Sequence, residues 1–432
     1  MKQTLEHLIA DFWERDLPGI VHRDADVESI PGKALAFIGM RRVGKTYLCY
    51  QKIKALLDAG TPRDQILYLN FEDDRLFGFE LAHFQLLLEV FYADRPEKQN
   101  ERCHFFFDEI QNVHDWERFI RRIMDTENVS IFLTGSSAKM LSVELASSLR
   151  GRSLAREVFP YSFPEYLRVH APDLRWVRPG SHARLHLQKQ TENYMTSGGF
   201  PEVQGLPAHR RREIIQSYVD AVVLRDVIER HGVSNVEALR ALLHQALSSP
   251  TTRMSIHKLY KDFKSRGLRL GKDDLYAYMR HLTDAYLLFP LPLWTRSEKK
   301  RQINPKKIYL VDNGILDAYS TGQTPDRGAF LENLVYLTLR RLGLQPGYYE
   351  TRQGHKVDFV WNENGQIHIL QACLTLQTPA TRERELRALA SAASELPEPR
   401  CHIVTLTEEN NFQNPSVNVL PLWKFLLHGT GK

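Results

Sequence analysis

Hydrophobic residues in the first third of this 432-residue chain fall in short unbroken runs: 34–38 (ALAFI), 66–70 (ILYLN), 103–109 (CHFFFDE) and 130–134 (SIFLT). Runs of this length predict strands buried on both faces, and their alternation with helical stretches predicts a doubly wound parallel sheet. The N-terminal stretch MKQTLEHLIADFWERDLPG predicts an amphipathic helix; it lacks the basic start, apolar middle and small-residue cleavage site of a signal peptide. Beyond residue 235 the period changes. Residues 235–245, 255–267 and 272–288 space their apolar positions at helical intervals, and a strand over 287–294, a basic tip over 296–301 and a returning strand over 308–311 follow. Val357 to Thr375 predicts a hairpin with 362–365 as its turn. Asp358 then pairs with Ile369 and shares a face with Gln371 and Cys373.

Composition narrows the class. No apolar run approaches the ~20 residues of a membrane span. Four scattered cysteines form no CxxC pair and the 17 histidines form no HExxH set, which argues for a cytoplasmic chain and against a zinc knuckle. The net charge of +5 is unevenly spread: Thr251–Leu310 holds 14 Lys/Arg against 5 Asp/Glu, a local +9, so the rest sums to −4. A locally basic segment points to a local anionic partner.

The strand at 34–38 runs into Gly39-Met40-Arg41-Arg42-Val43-Gly44-Lys45-Thr46, which matches GxxxxGK[ST] between a strand and a helix. Glycines let successive N–H groups turn inward around phosphate oxygens, and the helix adds its positive N-terminus. Gly39, Arg42, Val43, Gly44, Lys45 and Thr46, with Tyr47 just inside the helix, are the expected ATP contacts. Lys45 would reach the β/γ-phosphates and Thr46 would hold Mg2+. The apolar strand ending in Asp108-Glu109 supplies the other half: Asp108 for the Mg2+ shell, Glu109 to polarise the attacking water. Ser136, after the fourth strand, could sense the γ-phosphate or simply cap a helix.

So many features in this order resemble the AAA+ class of P-loop ATPases, nearest the branch shared by initiator-like and STAND ATPases. Arg150 and Arg152, with Arg156 behind them, lie in a passage similar to the "GR … L-x-P-x-S-F-x-E" stretch of bacterial ATPases bearing a C-terminal DUF4143 domain. The resemblance implies an arginine there that reaches a neighbour's γ-phosphate in a ring; a surface cluster or a salt bridge is the alternative. Gly198-Gly199-Phe200-Pro201-Glu202 looks like the family's GG-[FL]-P-E turn, which implies Pro201 against adenine. Lys307-Ile-Tyr-Leu-Val-Asp312-Asn-Gly314, Gly328–Leu337 with Glu332, and the V-D-F at 357–359 also match the family.

The resemblance implies an ASCE/AAA+ core over 1–160, a helical lid over 161–235, a winged helix over 236–305 and a nuclease-like domain over 306–432. Lys272, Tyr276 and Arg280 on the third helix, with Lys299, Lys300 and Arg301 at the wing, are candidate DNA contacts; an intramolecular clamp is the alternative. PD-(D/E)XK nucleases need a helix Glu, a strand Asp and an E-x-K. Glu332 and Asp358 are present, but Gln371-Ala372-Cys373 replaces the E-x-K. The expectation is an oligomeric ATPase acting on DNA, with a STAND-like protein-binding switch as the second reading and an Mg2+-dependent nuclease as a distant third.

Overall fold

The computed structural model describes residues 1–93, 96–136, 149, 151–320, 326–409 and 416–430, in two compact units, Met1–Val158 and Phe159–Lys432. In the first unit five strands, β1 (Ala34–Ile38), β2 (Ile66–Asn70), β3 (Cys103–Asp108), β4 (Val129–Gly135) and β5 (Ser153–Glu157), form one parallel sheet in the order β2-β3-β4-β1-β5. Its helices among the described residues are α1 (Lys2–Glu14), α2 (Lys45–Asp58), α3 (His83–Tyr92) and α4 (Trp116–Thr126). The unbroken apolar runs have the expected cause: every residue of β1 is buried, so both faces are covered. In β3, Phe106 stacks on Phe132 of β4 at 4.5 Å, while Phe105 and Phe107 point to the opposite face and meet Phe91 and Phe119. The N-terminal amphipathic helix packs Phe12 on Tyr68 and hydrogen-bonds Trp13 Nε1 to the Ile66 carbonyl at 3.0 Å.

The second unit begins with helices α5 (Phe163–His170), α6 (Ser181–Ser197) and α7 (Ala208–Ala221), the last running on into a π-helical stretch, Val222–Glu229. Ser162 and Glu165 form a capping box on α5. Next come α8 (Val236–Ser248), β6 (Arg253–Met254), α9 (Ile256–Ser265), α10 (Lys272–Asp284), β7 (Leu288–Leu291), α11 (Glu298–Ile303) and β8 (Lys306–Leu310). The three strands form an antiparallel sheet, β6-β8-β7. The strand expected over 287–294 is shorter, and the basic tip is a helical turn, because Ser297 caps the 298–303 segment by accepting from the Lys300 N–H.

After α12 (Asn313–Tyr319) and α13 (Arg327–Arg341), a second sheet has the order β13-β12-β11-β10-β9, built from β9 (Gly347–Glu350), β10 (Lys356–Glu363), β11 (Gln366–Ala372), β12 (Arg400–Thr405) and β13 (Val417–Pro421), with α14 (Pro379–Glu395) and α15 (Leu422–His428). The hairpin register differs from expectation. Phe359 pairs with Leu370, which sets Asp358 opposite Gln371 rather than Ile369. The reason is the turn: Asn364 and Gly365 both take positive φ, 52° and 88°, so the loop is two residues and not four. A slip of two by itself preserves facing, but an irregularity between Val357 and Val360 breaks the alternation of β10, and both of those residues lie in one apolar cluster with Ile369 and Cys373.

Two glycine motifs read from the sequence meet in this unit. The Gly199 N–H donates to Asp312 Oδ2 at 2.7 Å, and the Gly314 N–H to Asp312 Oδ1 at 2.7 Å. Gly198 has φ +69°, and a Cβ there would lie 1.9 Å from Asp312 Oδ1. Burial drives the Asp312 carboxyl up to about 6 despite these two donors.

Candidate functional site

The loop after β1 is shaped by what packs against it. A Cβ on Gly39 would lie 2.2 Å from the Val158 carbonyl oxygen, so only glycine allows the close approach. Gly44 takes φ +97° and leads into α2, and Arg42 is also left-handed at φ +67°. The N-terminus of this 14-residue helix therefore opens on the loop with its first N–H groups unpaired within the helix. Lys45 is buried, with Nζ 3.2 Å from the Gly39 and Met40 carbonyl oxygens and 3.4 Å from Glu109 Oε1. Val43 is fully buried, Arg42 is exposed, and Tyr47 is half-exposed with its ring edge-on to Tyr50. Arg23 braces the loop from outside the motif: its guanidinium donates to the Val43 carbonyl at 2.8 Å, and its own N–H donates to Gln51 Oε1 at 2.8 Å.

The sheet order places β4 between β1 and β3, so the end of β4 stands between the loop and the two acids. Thr134 uses that position: its hydroxyl donates to Asp108 Oδ1 and accepts the Glu109 N–H at 2.8 Å. Asp108, fully buried, also accepts from the Thr46 hydroxyl at 2.7 Å and the Tyr68 hydroxyl at 2.9 Å, both on Oδ2. Burial, and then the neighbouring Glu109 charge, raise the Asp108 carboxyl; the three hydroxyls pull it partly back. Glu109 itself sits at φ +50°, a left-handed conformation that costs a non-glycine residue about 1–2 kcal/mol. Its Oε2 accepts from Gln111 Nε2. Burial pushes Glu109 up, but the Lys45 ammonium and Gln111 outweigh it and hold the carboxylate below its ordinary range, ionised and able to take a proton.

Behind Asp108 runs a chain of hydroxyls. Tyr50 donates to Tyr68 at 3.3 Å, and Arg15, just past α1, donates to Tyr50 at 2.9 Å. Tyr68, Thr134, Arg23 and Gln111 were not singled out from the sequence. Only Thr134 carried a usable signal, as the polar end of an apolar strand one place from the P-loop strand.

The remaining expected residues are placed as follows. Ser136 is buried immediately past β4. Arg150 lies outside the described residues. Arg152 precedes β5, which starts beside Ala34 at the other end of β1 from the loop, and it pairs with Asp125. Four residues of strand separate that edge from the loop edge, about 13 Å. Arg156 pairs with Asp26 at 2.8 Å. Pro201, in the second unit, opens a 3-10 turn over Pro201–Val203. Lys272, Tyr276 and Arg280 are all exposed along α10, with the Lys272 ammonium 5.7 Å from the Tyr276 ring centre. Lys299, Lys300 and Arg301 are exposed on α11, where Arg301 also pairs with Glu298 at 3.2 Å.

The arrangement in the first unit can hold a phosphate chain at a helix N-terminus and supply oxygen ligands from Thr46 and Asp108. A hydroxyl and a carboxylate in contact fit Mg2+, which keeps several of its waters and takes few protein ligands. Among the described residues no group of three or more His, Cys, Asp or Glu is placed to hold a metal ion, and no helix is long and apolar enough to cross a membrane.

Comparison with known proteins bears on both units. Residues 31–167 match the family described as AAA domain, 188–326 a domain of unknown function, DUF8612, and 327–425 a domain of unknown function, DUF4143. An uncharacterized protein of Methanocaldococcus jannaschii is 32% identical over 421 residues, covering 94% of this chain and 91% of the relative. An uncharacterized protein of Haemophilus influenzae is 26% identical over 341 residues, covering 78% and 82%. Among solved structures, a Walker-type ATPase of Pyrococcus abyssi is similar with a TM-score of 0.44 and 17% identity, covering 71% of this chain and 99% of that one.

Proposed function

Because the chain belongs to the family of AAA-domain proteins that carry a C-terminal DUF4143 domain and has the P-loop ATPase fold, we propose that it binds ATP with Mg2+ and hydrolyses it. The observation that carries this reading is the convergence of Thr46, Tyr68 and Thr134 on Asp108 beside the Lys45–Glu109 ion pair. Thr46 and Asp108 are the residues that would hold Mg2+, which when bound neutralises charge on the phosphoryl oxygens. Lys45 exchanges the Gly39 and Met40 carbonyls and Glu109 for phosphate oxygens. Glu109, released from the lysine and oriented by Gln111 and by the Thr134 hydroxyl on its N–H, accepts a proton from the attacking water. Pro201 is the proposed adenine contact, from a lid formed by residues 161–235.

The cargo we infer is DNA. The three helices α8, α9 and α10, with the three-stranded sheet that β6, β7 and β8 form, suit a winged helix, with α10 as its groove helix and the short α11 at its wing. Lys272, Tyr276 and Arg280 line one exposed stripe, and the local +9 is anion-seeking. A homo-oligomer follows if Arg152 or Arg150 acts on a neighbour's nucleotide.

Nucleotide binding and steady-state ATPase of Lys45→Ala and Glu109→Gln test the reading. Lys45→Ala should lose binding, and Glu109→Gln should bind without turnover; normal turnover in either overturns it. Stimulation by duplex DNA separates the DNA-acting ATPase from a protein-binding switch, which would assemble on ATP with no response to DNA. Arg152→Ala lowering turnover only above the concentration at which oligomers form would identify the arginine acting in trans.

A further inference from the structure

The strand β8 is the central strand of its three-stranded sheet, yet one of its side chains reaches the α13 helix and the second sheet. The Lys307 ammonium lies 2.8 Å from Glu332 Oε1 on α13 and 2.8 Å from Asp358 Oδ1 on β10. All three side chains are 20% exposed or less. Tyr309, two residues along and so on the same face of β8, donates its hydroxyl to the same Glu332 oxygen at 2.6 Å and is fully buried. The other Asp358 oxygen accepts the Ala372 N–H at 3.1 Å.

Two buried carboxylates need a cation close by, since burying a charge without one is far more costly than any hydrogen bond recovers. Here a protein ammonium fills that need. Gln371, where a further acid would stand, is spent on the backbone: its Oε1 accepts the Asp358 N–H at 2.9 Å and its Nε2 donates to the Lys356 carbonyl at 2.9 Å. Cys373 lies in an apolar cluster with Val357, Ile369 and Leu376. Burial, then Asp358, raise the Glu332 carboxyl above its ordinary range, as expected where two carboxylates share one positive charge. Burial disfavours the Lys307 ammonium, but the two acids outweigh it and keep it protonated.

We propose that Glu332 and Asp358 form a cation site whose resident is the Lys307 ammonium, held in the place where these carboxylates would otherwise take a divalent metal. The pair is thereby closed to Mg2+ or Mn2+ in the native chain, and the lysine fastens β8 to α13 and β10 as a built-in ion. The inference is independent of the nucleotide reading, because it concerns a different unit of the chain.

Mn2+ binding to the nucleotide-free full-length protein tests it, by calorimetry and by the loss of the free-ion electron-spin signal. The native chain and Asp358→Asn should bind Mn2+ alike. Lys307→Ala should gain one site per chain, at least ten-fold tighter than any in the native protein, and Lys307→Ala/Asp358→Asn should lose it again. A folded Lys307→Ala with no added site overturns the proposal. If Lys307→Ala does not fold, the first comparison decides alone: a native Mn2+ site that Asp358→Asn removes overturns it, and identical titrations support it.

Discussion

The Thr46 hydroxyl lies 2.7 Å from Asp108 Oδ2, joining the first turn of α2 to the end of β3 across the intervening strand. Tyr68 reaches the same oxygen at 2.9 Å. Tyr68→Phe removes one donor from a buried carboxylate, and the expected loss is about 1–3 kcal/mol of stability. A carboxylate with fewer donors ionises less readily, so the acid limb of the ATPase pH profile should move upward. Thr46→Ser should keep most of the activity and Thr46→Val lose about a hundred-fold or more. An unchanged pH profile in Tyr68→Phe would show that its hydroxyl only packs.

Acid should loosen the second sheet through His402. Burial, with His368 and then Arg400 adding, drives this imidazole down to about 3, and its Nε2 lies 3.1 Å from His368 Nδ1. The unfolded chain takes up a proton near pH 6.5 while the folded one does not, so stability falls as pH drops from about 6.5 towards about 3. At pH 4.5 the loss from this residue is about 2–3 kcal/mol. Urea unfolding at pH 7 and 4.5, followed by tryptophan fluorescence, should show a smaller acid-induced loss in His402→Asn; equal losses would assign the effect elsewhere.

Gly198 and Gly205 separate backbone strain from steric conflict. Both take positive φ, 69° and 78°, but a Cβ on Gly198 would strike Asp312 Oδ1 at 1.9 Å, while one on Gly205 meets nothing within 4 Å. Gly205→Ala should cost about 1 kcal/mol and Gly198→Ala about 3 kcal/mol or more. Equal melting temperatures for the two variants would contradict the contact.

Replacement of Lys299, Lys300 and Arg301 by alanine tests the wing. If each neutralises one phosphate, the slope of log K against log salt should flatten by roughly 0.9 per residue. ATPase without DNA should be unchanged. A slope equal to that of the native chain would remove α11 from the interface.

The parts of the site that lie within one short stretch were legible in the sequence. A glycine-rich loop between strand and helix, and two acids closing an apolar strand, carry their meaning in adjacent residues. Thr134 carried a local trace, as the polar end of an apolar strand, but the roles of Tyr68 and Arg23 depend on which parts of the chain become neighbours, and no local pattern encodes that. The hairpin at 357–375 shows the same division: the two strands were legible, while register was off by two because Asn364-Gly365 alone makes the turn, and an irregularity between Val357 and Val360 puts Cys373 in an apolar cluster while Asp358 reaches Lys307. Lys307 was visible as part of a motif, but its role was not, since its partners lie 25 and 51 residues away.

That last contact also changes where the C-terminal piece of the chain should be considered to begin. Residues 327–425 match the DUF4143 family, yet Lys307 and Tyr309, and the Leu310 N–H that donates to Asn333 Oδ1, come from before that boundary. A fragment starting at Arg327 would carry both acids and leave their counter-ion behind. A piece that keeps this ion cluster whole therefore starts no later than Lys306, upstream of where the family similarity begins.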